Sequence, residues 1–84
     1  MTNHYQSNRE VFWDTVYYKV YYVPELRYGQ AAFITLNELY PALADEIRGT
    51  AKDPFHTHNE EDPRWIAFTQ FIRDNITDER LENF

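Results

Sequence analysis

The residues best suited to chemistry lie in one short stretch, Asp53, His56, His58, Glu60, Glu61 and Asp62. On an extended backbone, alternate side chains point the same way. His56-Thr57-His58 could therefore turn two imidazoles to one side, where neighbouring carboxylates would complete a zinc-like shell. A solvated, charged loop explains the same composition, because a working metal site needs its ligands held in fixed geometry. His56 and His58 are thus metal candidates only if the loop is rigid. The simpler reading expects no metal and no cofactor.

Other catalytic sets are missing. The chain has no cysteine, so Cys/His nucleophiles, thiolate metal sites and disulfides are excluded. Ser7 is the only serine, and Glu10 three residues later gives it the spacing of a helix capping box. Gly29 and Gly49 are the only glycines, too few for a glycine-rich phosphate loop. The expectation is a protein that is not an enzyme.

Two arginines flank apolar stripes. Arg48-Gly49-Thr50 is followed closely by Asp53-Pro54-Phe55. The loop could fold back so that Asp53 pairs with Arg48 or Arg27, an arginine–carboxylate clamp with Phe55 plugging the core beneath. The alternative is an arginine that binds a phosphate or carboxylate ligand.

Aromatic residues are the dominant feature: seven Tyr, six Phe and two Trp in 84 residues. Trp13, Tyr17, Tyr18, Tyr21, Tyr22 and Tyr28 cluster in the first third of the chain. One helix face cannot bury them all. Tyrosine and tryptophan are favoured at protein interfaces, which makes these six candidate partner-binding residues. Alternatively, the rings pack their apolar bodies and keep only their hydroxyls wet. Stacking on single-stranded bases is a further use of such rings. The formal net charge of −6 argues against nucleic acid and for a protein partner.

The elements that must position these groups read as helices. One domain is expected over residues 1–84, with loose termini at about 1–6 and 77–84. Thr15 to Val23 are β-branched or aromatic except Lys19, which favours a strand. However, Phe12, Val16, Val20 and Val23 recur at helical spacing behind the Ser7 cap, and no second strand-like run could pair with this one. The segment is assigned to a helix, with a strand over 15–23 in an α+β fold as the alternative. Pro24 ends it. Ala32, Phe33, Leu36, Leu39 and Tyr40 form the next stripe, and Pro41 opens a short helix ending at Gly49. Asp62-Pro63 starts a last helix whose inner face is Trp65, Phe68, Ile72 and Ile76, with Phe71 alongside. The predicted fold class is all-α: three main helices and one short one, the second and last facing each other, with the first across them.

The order of Arg27-Tyr28-Gly29-Gln30-Ala31-Ala32-Phe33, Tyr40-Pro41, Ile47-Arg48-Gly49-Thr50 and Asp53-Pro54-Phe55, followed by an aromatic helix, resembles a group of small uncharacterised proteins of tailed bacteriophages and some bacteria. The likeness covers about residues 12–76. The chain departs from that pattern after Phe55, where His56 to Glu61 replace a short acidic loop. The resemblance implies a helix over 10–22 and a viral setting. By analogy with small acidic phage proteins, it also implies binding to a host protein.

The leading functional expectation is therefore an interaction protein that binds a host protein, or a second copy of itself, through its aromatic surface. A metal- or small-ligand-binding loop at His56 and His58 is the alternative, and nucleic-acid mimicry by the acidic surface a weaker one. No apolar run approaches the length of a membrane span, and a cytoplasmic location is expected.

Overall fold

A computed structural model of the chain describes residues 7–77. The expected loose arm at 1–6 and the chain beyond Thr77 lie outside those residues. Four helices and no strand occur among them: α1 (Asn8–Tyr22), α2 (Tyr28–Leu39), α3 (Pro41–Ile47) and α4 (Pro63–Asn75). The fold is all-α, and the strand-like run is helical from Thr15 to Tyr22, with Val23 as the C-cap of α1.

Local chemistry fixes the helix ends. Glu10 N–H donates to Ser7 Oγ at 3.1 Å, and Ser7 N–H donates to Glu10 Oε1 at 3.0 Å, a complete capping box. At α2 only half a box forms: Arg27 N–H donates to Gln30 Oε1 at 3.0 Å. Pro41 and Pro63 occupy first-turn positions of α3 and α4, where a missing N–H costs nothing. Asp62 Oδ1 caps α4 by accepting from Arg64 N–H at 2.9 Å. Just past α3, Gly49 adopts φ +76°, the left-handed conformation that ends helices.

The buried core contains Phe12 and Val16 of α1, Ala31, Ala32, Phe33 and Leu36 of α2, Ala44 and Ile47 of α3, Phe68, Phe71 and Ile72 of α4, and Ile76 beyond it. Fully burying a side chain of Leu or Phe size contributes about 1.5–3 kcal/mol. Two apolar positions on the expected stripes are exposed instead: Val23 at the end of α1, and Leu39 at the end of α2. Val23 is the C-cap of α1 and Leu39 the last residue of α2.

The packing order also differs from the expected one. The closest backbone approaches are α1 on α2 and α2 on α3, rather than α2 on α4. Aromatic rings bridge α4 to α1: Phe12 to Phe68 and Trp13 to Phe68 at 6.3 Å, and Trp13 to Trp65 at 5.9 Å. Rings of this bulk hold α4 away from the other backbones. Asn8 Nδ2 donates to Thr77 O at 3.2 Å, tying the start of α1 to the residues after α4. Lys19 Nζ meets Glu38 Oε1 at 2.8 Å across α1 and α2.

Candidate functional site: an aromatic face and an adjoining cleft

Helix geometry divides α1 into two sides. At 100° per residue, Phe12 and Val16 point to the core, while Tyr17, Tyr21, Tyr18 and Tyr22 sweep an arc of about 140° on the other side. All four tyrosines are exposed, Tyr21 by 77% and Tyr18 by 64%. Exposure of that order leaves ring faces in water as well as hydroxyls. Tyr18 packs on Tyr22 at 4.5 Å and Tyr22 on Tyr21 at 4.8 Å. Tyr17 meets Tyr28 of α2 edge-on at 5.7 Å. The rings thus form two contacting groups, Tyr18–Tyr22–Tyr21 along α1 and Tyr17–Tyr28 across α1 and the start of α2. Trp13 is the exception among the six candidates. It lies angularly between the core and Tyr17, and it is half-buried against Phe12, Trp65 and Phe68.

A cleft of about 730 Å³ opens beside this face. Val20, Leu26, Tyr28 and Trp65 supply its apolar wall, and Tyr28 meets Trp65 edge-on at 6.2 Å. Arg27, His58, Glu60 and Glu61 supply its charged and polar rim. No ion pair engages Arg27, Glu60 or Glu61 among the described residues. Partial burial, then electrostatic interaction with Tyr17 and Glu60, push the Tyr28 hydroxyl above its ordinary pKa of 10.0.

The floor of the cleft depends on Gly29. Thr57 is buried, and both its N–H and its hydroxyl donate to Pro54 O, at 2.9 and 2.8 Å. This turn lies directly on the first turn of α2. A Cβ on residue 29 would run into Pro54 O and Thr57 Oγ1. Only glycine lets the two backbones approach this closely.

Asp53 does fix the loop, but not through an arginine. Its Oδ2 accepts from Gly49 N–H at 2.7 Å, and its Oδ1 from Phe55 N–H at 3.0 Å. Nearby main-chain amides out-compete a distant guanidinium, as they commonly do for aspartate in turns. Arg48 instead pairs with Asp45 at 3.0 Å and lies over the Phe33 ring at 5.1 Å. Arg27 is exposed on the cleft rim. Phe55 packs against the core and meets Phe33 edge-on at 6.2 Å.

The two histidines separate. His56 packs on Phe55 with ring centroids 5.2 Å apart, whereas His58 lines the cleft. Among the described residues, no three His, Asp or Glu side chains are grouped closely enough to hold a metal ion. No helix among them is long and apolar enough to cross a membrane.

The sequence marked the tyrosines but not the cleft. Its one signal was Gly29, a glycine inside a first helical turn where alanine would favour the helix. Compared with protein-family models, curated proteins and solved structures, the chain matches none of the three.

Proposed function

We propose that the chain is a non-enzymatic interaction protein that binds a protein partner through the aromatic surface of α1 and the start of α2. The observation that carries this reading is the exposure of Tyr17, Tyr18, Tyr21, Tyr22 and Tyr28, whose rings pack as a trio, Tyr18–Tyr22–Tyr21, and a pair, Tyr17–Tyr28. Among the described residues, the core-facing side of α1 is supplied by Phe12 and Val16 without these tyrosines. Rigid amphipathic rings of this kind supply contact area at low entropic cost. The likeness to small phage proteins favours a bacterial host protein as the partner, and a second copy of the chain is the other occupant such a surface would accept.

The test compares the native chain with the Tyr18→Ser/Tyr21→Ser/Tyr22→Ser variant. These rings lie outside the core, so the variant keeps its helical signal and cooperative melt. The native protein captures a partner from bacterial lysate or dimerises by light scattering, and the variant loses that behaviour. A strictly monomeric native protein that captures nothing the variant does not also capture refutes the reading.

A further inference from the structure

We propose that the cleft beside α2 receives an arginine-bearing segment of the partner polypeptide, its guanidinium seated among Tyr28, Trp65, Glu60 and Glu61. This deepens the interaction reading and rests on it, because it names the chemistry of the partner segment.

The size is right for such an occupant. About 730 Å³ exceeds one side chain and falls within the range of clefts that hold a short peptide or small ligand. The walls select the chemistry. An arginine combines a planar cation that stacks on aromatic faces with a fork of donors that matches carboxylates. The cleft offers both partners together: the Tyr28 and Trp65 rings, and two glutamates that form no ion pair among the described residues.

Arg27 limits the occupant. Its like charge disfavours a second basic residue at its end of the rim. Its donors suit main-chain carbonyls of the entering segment instead. The preferred segment therefore carries one arginine flanked by uncharged residues. The cleft joins the aromatic face through the contact of Tyr28 with Tyr17, so one partner can engage both.

The test titrates the full chain with acetyl-Ala-Ala-Arg-Ala-Ala-amide, following tryptophan fluorescence and heat. The same peptide with citrulline, the neutral isostere of arginine, serves as control. Saturable binding of the arginine peptide is expected, weakened about tenfold by citrulline, by Glu60→Gln/Glu61→Gln, or by molar salt. The glutamates are exposed, so their substitution leaves the fold intact. Equal binding of both peptides, or no binding at about 10 mM, overturns the proposal. If the captured partner then still binds the Glu60→Gln/Glu61→Gln variant but not the tyrosine variant, this inference falls while the aromatic reading stands. If it binds both variants unchanged, both fall.

Discussion

Replacing Gly29 with alanine gives opposite signs depending on whether the packing described above is correct. On an open helix, the added methyl stabilises by up to about 1 kcal/mol through helix propensity. Here the new Cβ meets Pro54 O and Thr57 Oγ1, with the Pro54 carbonyl carbon at 3.1 Å. Two of these atoms are backbone and cannot rotate aside. Overpacking of this kind costs about 1–3 kcal/mol. Moving Pro54 also strains the two hydrogen bonds that Thr57 donates to it, each contributing about 0.5–1.5 kcal/mol. Offset by the propensity gain, the net loss is about 1–3 kcal/mol. In a domain of this size that lowers Tm by about 4–8 °C per kcal/mol. Thermal and urea unfolding followed by circular dichroism measure it. The double variant Gly29→Ala/Thr57→Ala recovers only part of the loss, because Pro54 O remains in place. A Gly29→Ala protein that melts above the native one refutes the close approach of this turn to α2, and with it the shape of the cleft.

Three further outcomes follow from the same structure. Gly49→Ala meets no neighbour but must hold φ +76°, so it destabilises by about 1–2 kcal/mol in urea unfolding through backbone strain alone. Thr35 is fully buried and its hydroxyl has no hydrogen-bond partner among the described residues, so Thr35→Val, which keeps the shape, raises stability by about 1 kcal/mol, read as a higher Tm. The backbone N–H of Arg64 is the main cause holding the Asp62 carboxyl below its ordinary value of 3.8. Its contribution is present above pH 3.8 and lost as pH falls through the lowered folded pKa. Asp62→Asn therefore keeps the cap and flattens the acid limb of Tm against pH, whereas Asp62→Ala lowers Tm at neutral pH.

Helix boundaries were legible because capping chemistry is local. Ser7 with Glu10, Asp62 with Pro63, and Gly49 each act within a few residues of themselves. The core positions Phe12, Val16, Leu36, Phe68 and Ile72 followed from helical period. The β-rich run is helical over 15–22 in spite of its propensity, because an isolated strand has no ladder partner and the Ser7 cap starts a helix upstream. Contacts set by volume and long-range geometry were not legible. Nothing in the spacing showed that ring bulk would hold α4 away from α2, or that Trp13 would turn toward Trp65. The partner of Asp53 was not legible either: main-chain amides two and four residues away, at Phe55 and Gly49, take its carboxylate ahead of any arginine. The cleft joins the α1–α2 turn to the 57–61 loop, a juxtaposition that only the folded chain creates.

The central claim concerns the tyrosines of α1. The most direct measurement is the affinity of the isolated captured partner, or of a second copy, for the native chain and for Tyr18→Ser/Tyr21→Ser/Tyr22→Ser at matched salt. Interface hot-spot residues each contribute about 2 kcal/mol or more, so removing three predicts at least a hundredfold weaker binding in a variant that still melts cooperatively. Affinities within about twofold of each other would contradict the account.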